Sequence, residues 1–576
     1  MLLQGTLVVL ALLAAGCVAQ SSQTSATPST SKSVAAALSE PELPYTPSLD
    51  VTAMDRSVDP CVDFYSYSCG GWQKKNPIPP DQTSWSVYGK LYQDNLQYLR
   101  GILEQAATAK DRDPVTQKIG DFYGSCMNEP LVEQLGAKPM QPDLAAIQSL
   151  KDVKQLAPVL ARLQMQGVAA LFDAGPMQDP DNSDNMIVGI GQGGLGLPDR
   201  DYYLKDDAKS KETRERYLQH VQKIFELMGD SPDMAKKNAA TVMRMETGLA
   251  KASLTRVERR DPYKQKHKMT VPELYKVAPN FDWKGFFSSA GVPQFQILNV
   301  SWPAFFQDIN AQIKSAPLAD WQTYLRWHVA HSRAPFLSAA FVNENFEFYR
   351  KYLRGATELQ PRWKRCVQYV DSDLGEALGQ AYVRRTFGPE LKASTVEMTR
   401  QIEDAMGLRI QQLDWMSPTT KQQAMVKLKA IRNKVGYPDK WRDYSSVIIL
   451  PDDFYGNDLR ATEFETKRQM AKVGQPVDRT EWGMTPPTVN AYYDPQMNDI
   501  NFPAGVLQPP LYDAKMDAAP NYGNTGSTIG HELTHGFDDE GRQYDAQGNL
   551  KDWWTKQDAD QFVKHEIGRA SCRERE

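Results

Sequence analysis

Between Ser527 and Asp545 the chain reads STIGHELTHGFDDEGRQYD, which sets His531, Glu532 and His535 in the order His-Glu-x-x-His. On a helix, residues four apart project from one face, so the two imidazoles can share a single metal ion, and zinc suits neutral imidazole nitrogens. Glu532 lies off that stripe. Its carboxylate is left to act as general base on a water attacking a carbonyl that the metal polarises. Asp538, three residues past His535 on the histidine face of a continuing helix, can accept the remaining ring N–H of a ligand histidine and fix its tautomer. The chemistry predicted is zinc-assisted peptide hydrolysis. Catalytic zinc normally takes three protein ligands. One motif class finds the third in a histidine six residues past the second, after a glycine at three, but Asp538 and Gly541 hold those positions. The third ligand is therefore expected to be a glutamate on a later helix.

Such a helix needs a buried back. Ile529, Leu533 and Phe537 recur every four residues, about 160° around the axis from the histidine stripe. Upstream, PPTVNAYYDPQMNDINFPAGVL (486–507) has two β-prone runs around a Pro-Gln-Met-Asn-Asp turn, which predicts a hairpin. If Val489 to Tyr493 form an exposed edge, an extended peptide can add to it through its backbone, with the Asn490 amide gripping a substrate carbonyl. The spacing fits an ordinary buried hairpin equally well. From about Asp94 to Ile431 the pattern is mainly helical. Tyr217, Leu218, Val221, Ile224, Phe225 and Met228 share one face, and Ser417-Pro418 reads as a helix start leading into Met425, Leu428 and Ile431. The glycine-rich Gly191 to Leu204 lacks any phosphate-binding fingerprint and reads as a turn-rich connection. The fold class expected is mainly α, α+β.

With 576 residues, 41% hydrophobic and 24% charged, the chain has the composition of a globular protein with room for two or more domains. A net charge of −5 provides no global positive field for nucleic acid. The apolar run Leu7 to Ala15 is too short to span a bilayer and reads as the core of a signal peptide, residues 1–16. Ala14-Ala15-Gly16-Cys17 resembles a bacterial lipobox, which makes Cys17 a lipidation site and a membrane anchor, although no Lys or Arg precedes the apolar core. A plain signal peptide cut near Ala19 is the alternative. Residues 17–50, rich in Ser, Thr, Ala and Pro, are expected to be a flexible tether. Either way the expected location is outside the cytoplasm, in a bacterial periplasm or on a cell surface. Five cysteines remain after Cys17, an odd number for an exported protein.

Six stretches in order carry a resemblance: PCVDFYSYSCGGW (60–72), GLGLPDRDYY (194–203), RWKRC (362–366), VNAYY (489–493), FPAGVLQPP (502–510) and GHELTHGFDDEGRQYD (530–545). Together they resemble the neprilysin and endothelin-converting-enzyme family of zinc endopeptidases, in its bacterial oligopeptidase branch, from about Pro60 to Trp554. The resemblance implies a large helical lobe, residues 51–437, capping a thermolysin-like (gluzincin) catalytic lobe of which 438–565 is the first part. It implies a chamber that admits short peptides, and cleavage on the amino side of hydrophobic residues. His531 and His535 match the family's zinc ligands, Glu532 its base, Asn490 and Ala491 its substrate clamp, and Asp538 an acid behind the ligands. Cys126 and Cys366 match a disulfide whose long loop is worth roughly 4 kcal/mol or more on the chain-entropy model. Cys61 and Cys69 match cysteines whose partners lie near the family's C-terminus. Residues 566–576 fit nothing in the family and are read as an artefactual tail, and the family's third zinc ligand is expected to be absent from this sequence. The alternative function is a catalytically silent, lipid-anchored peptide-binding protein.

Overall fold

Helix starts are fixed by side chains that satisfy backbone donors the helix itself leaves free. Ser86, Asp113, Asp207, Ser231 and Ser417 each accept a first-turn N–H, and proline stands at the first helical position after Asp113, Ser231 and Ser417. The main helices are α1 (Val87–Thr108), α2 (Pro114–Met127), α3 (Ala208–Leu227), α4 (Pro232–Ala252), α5 (Leu318–Arg333), α6 (Arg362–Thr386), α7 (Pro389–Gln412) and α8 (Pro418–Ala430). They are followed by α9 (Phe454–Met470), α10 (Thr525–His535) and α11 (Lys556–Arg573). This computed structural model describes the backbone of residues 41–573 and side-chain surroundings as far as Lys564. The expected signal peptide, Cys17 and the tether up to residue 40 lie outside the described residues. No helix among the described residues is long and apolar enough to cross a membrane.

The stretch expected to be mainly helical also contains a four-stranded sheet in the order β1-β2-β4-β3. The strands are β1 (Phe172–Asp179), β2 (Asn182–Gln192), β3 (Lys268–Thr270) and β4 (Ile297–Val300). β1 and β2 pair as an antiparallel hairpin from Phe172↔Gln192 to Asp179↔Asn182, and β2 runs parallel to β4. Glycine, aspartate and asparagine dilute the β-prone residues of β1 and β2, so their pairing is a tertiary effect. Phe172 supplies much of it, with its ring 5.1–5.7 Å from those of Phe281, Trp283, Phe286 and Phe306. Gly191 and Gln192 end β2 and Asp201–Leu204 is one helical turn, so the turn-rich connection is the part between them.

A second sheet orders β5 (Arg432–Gly436), β7 (Asp499–Pro503) and β6 (Tyr492–Asp494), with β6 at an edge. β6 and β7 are the expected hairpin, paired antiparallel from Tyr492↔Asn501 to Asp494↔Asp499. Two cores result. One gathers residues from 140 to 348, including the predicted α3 face of Tyr217, Val221, Ile224 and Phe225. The other joins α1 and α2 to α6, α8, β5–β7 and α10. α9 feeds both, giving Tyr455 and Met470 to the first and Phe454 and Ala461 to the second. Cys126 of α2 and Cys366 of α6 form a disulfide spanning 240 residues. Cys61 and Cys69 are unpaired.

Candidate active site

α10 is held from behind. Ile529 and Leu533 are fully buried and Phe537 nearly so, while His531 and His535 stand exposed on the opposite side. The two imidazole Nε2 atoms lie 3.1 Å apart. Two nitrogens bound to one tetrahedral zinc at about 2.0–2.1 Å would be separated by about 3.3 Å, so the pair fits a shared zinc. His535 Nδ1 lies 2.8 Å from Asp538 Oδ2. A proton held there leaves the Nε2 lone pair for the metal, the orientation role expected of Asp538.

Asp538 reaches that position by a different route from the one the helical spacing suggests. α10 ends at His535, so Asp538 and Glu540 both lie beyond it. Asp538 Oδ1 accepts the backbone N–H groups of Glu540 and Gly541, at 3.0 and 2.7 Å, and bends the chain under the helix end. There a Cβ on residue 541 would lie 1.9 Å from the His535 carbonyl oxygen, so only glycine fits. Glu540 points elsewhere, into an ion pair with Arg260 at 2.5 Å.

Glu532 is 6% exposed, and burial pushes its carboxyl above the usual range against the pull of the two histidines. The backbone N–H of Tyr493 faces it and favours its charged form. Tyr493 faces Ile500 across the hairpin with its N–H turned away from β7, so the outer edge of β6 is the edge that meets Glu532. Ala491 is the residue immediately before β6. Ala491 itself is buried and Asn490 is exposed beside it. The edge strand thus meets the metal helix, and the structure brings together Tyr493, His531, Glu532, His535 and Asp538, with Asn490 and Ala491 in the two positions just before β6.

Two contributors escape sequence reasoning. Lys427 of α8 is 1% exposed and its Nζ donates to the carbonyls of Gly541 and Tyr544, at 2.6 and 2.7 Å. It therefore pins the loop that carries Asp538. Burial pushes its amine down to about 7, opposed by the fields of Asp538 and Asp545. The only hint is a lysine inside the apolar run Met425 to Ile431. The other is Tyr88 of α1, whose hydroxyl lies 2.7 Å from Thr528 Oγ1 one turn before His531, so α1 faces α10. Among the described residues no cluster of three His, Cys, Asp or Glu side chains forms a metal site.

Two models of peptidase family M13 match the chain, one over residues 60–438 and one over 490–569. An endothelin-converting enzyme homolog of Locusta migratoria is 34% identical over 544 residues, which is 89% of this chain and 74% of that protein. Human endothelin-converting enzyme 1 is 32% identical, covering 89% of this chain and 69% of its own length. The crystal structure of a Mycobacterium tuberculosis zinc metalloprotease in complex with an inhibitor superposes with a TM-score of 0.85 at 37% identity, over 90% of this chain and 79% of that one. The chain belongs to peptidase family M13, a family of zinc metalloendopeptidases.

Proposed function

We propose that this protein is an exported endopeptidase that cuts short peptides on the amino side of hydrophobic residues. The observation that carries this reading is the meeting of the His531–His535 pair with the buried Glu532 carboxylate at an open strand edge. His531 and His535 would hold zinc, which when bound supplies Lewis-acid polarisation of the scissile carbonyl. The outer edge of β6, continued through Ala491 just before it, pairs with the substrate backbone, and the Asn490 amide donates to a substrate carbonyl, so the peptide lies extended across α10. Glu532 takes a proton from the attacking water, and its raised affinity for that proton suits transfer to the leaving amine. Asp538 keeps the His535 ring turned with Nε2 outward. Export is supported by the apolar run before Cys17 and by the Cys126–Cys366 disulfide, a bond that persists in oxidising compartments. Lipid attachment at Cys17 is tested by fatty-acid labelling, which Cys17→Ala should abolish.

The peptidase reading is tested by zinc titration of the full chain with a quenched peptide bearing one internal leucine. Zinc-dependent cleavage before the leucine supports it. Peptide binding without cleavage would favour the second reading, a silent peptide-binding protein.

A further inference from the structure

A cavity of about 340 Å³ opens where the segment Phe346–Tyr352 meets the start of α6. That segment is wound as a π-helix, a form that is rare and recurs at functional sites. Buried Val342 and Phe346, with Tyr349 and Tyr369, give the cavity an apolar wall. Arg350, Arg354 and Arg365 line it as well. Arg365 spends its Nε on the Gln360 carbonyl at 3.2 Å, while the side chains of Arg350 and Arg354 have no hydrogen-bond or ion-pair partner among the described residues. Of the two acids present, Asp81 is held by Lys364 at 2.7 Å, and Glu358 alone opposes the three guanidinium groups. The cavity is an apolar pocket with surplus positive charge.

Its position gives the charge a use. Gln368, on the cavity wall, donates to the Tyr92 hydroxyl at 2.8 Å, and Tyr92 lies one turn along α1 from Tyr88, which meets Thr528 of α10. Further along α6, Gly375 and Gly379 pack so closely against Thr485 and Pro486 that an added Cβ would lie 2.2 and 2.7 Å away. That segment leads directly into Asn490. α1 and α6 therefore both run from the cavity to the strand edge and metal helix.

We propose that this cavity anchors the free C-terminus of a bound peptide, with the carboxylate on Arg350 and Arg354 and an apolar last side chain among Val342, Phe346, Tyr349 and Tyr369. The proposal rests on the peptidase reading for its substrate. Guanidinium groups match a carboxylate in charge and geometry, and the apolar wall excludes the water that would weaken the pair.

The test uses the full chain carrying Glu532→Gln, so that binding is read without cleavage. A fluorescently labelled octapeptide ending in leucine is titrated as its free acid and as its amide. The free acid should bind about tenfold or more tightly, a difference that Arg350→Gln with Arg354→Gln should erase. Arg354→Glu, at an exposed position, should reverse the preference and guards against misfolding of the double variant. Equal binding of acid and amide, a difference that survives both arginine changes, or binding of neither would overturn the anchor. An internal glutamate that rescues the amide would also overturn it, by showing that any carboxylate suffices. Cleavage is measured separately on the unsubstituted chain. Cleavage of acid and amide with the same KM overturns the anchor alone. A preference for the acid without any cleavage keeps the anchor and overturns the peptidase reading.

Discussion

A single proton decides what Glu532 can do. Burial favours its neutral form while the paired histidines oppose that shift, which prepares the carboxyl to accept a proton and give it up again. Glu532→Gln should lower peptide hydrolysis by at least about 10²-fold, while zinc affinity, read by competition with a chromogenic chelator, stays unchanged. Asp538→Asn should act in the opposite way. Its bond to His535 orients a ligand, so zinc affinity should fall about 10- to 100-fold in the same competition assay. The histidines and Glu532 were legible because the chemistry demands a fixed spacing on one helix. The Tyr493 N–H was not, because its direction depends on which residues of β6 and β7 stand opposite each other.

Between side chain and fold lies the loop from Gly536 to Tyr544, and Lys427 is its fastening. A lysine whose folded pKa is depressed binds fewer protons folded than unfolded between that pKa and its ordinary value. Stability should therefore rise with pH from about 7 toward 10, with a slope of up to about 1.4 kcal/mol per pH unit from this group. Lys427→Met should flatten the rise, measured as urea stability at pH 7, 8 and 9 against the parent chain. It should also cost about 1–3 kcal/mol for each carbonyl left without its donor. The cap at Ser417 and the hairpin around Asn498 were readable, since each depends on neighbours in sequence. The β1–β2 hairpin was not. Its glycines and aspartates argue against strands, and aromatic residues about a hundred positions later overrule them. The end of α10 was misjudged for the same reason: Gly541 returns to seal it, a contact that helical periodicity cannot show.

At the scale of the whole molecule the chain crosses between its two cores repeatedly, and the Cys126–Cys366 bond ties together α2 and α6 across 240 residues. Chain entropy assigns such a closure about 5 kcal/mol. Cys126→Ala with Cys366→Ala should lower the thermal midpoint by several degrees, and reductant should do the same to the parent chain but not to the variant. The division into two cores was hidden in the sequence, because the second core is drawn from segments on both sides of the stretch that builds the first. The pairing of Cys126 with Cys366 came from resemblance, since spacing alone cannot choose among cysteines.

The interleaving of the second core sets an order of assembly. Leu91 and Leu99 of α1 share that core with Ile529 and Leu533 of α10, more than four hundred residues later. At about 5–20 residues per second of synthesis, α1 waits on the order of tens of seconds for α10 to emerge. The first core, nearly all of it contributed by residues 140 to 348, can condense in that interval. Newly made chains should therefore resist protease first in the middle, while both of their flanks are still being cut.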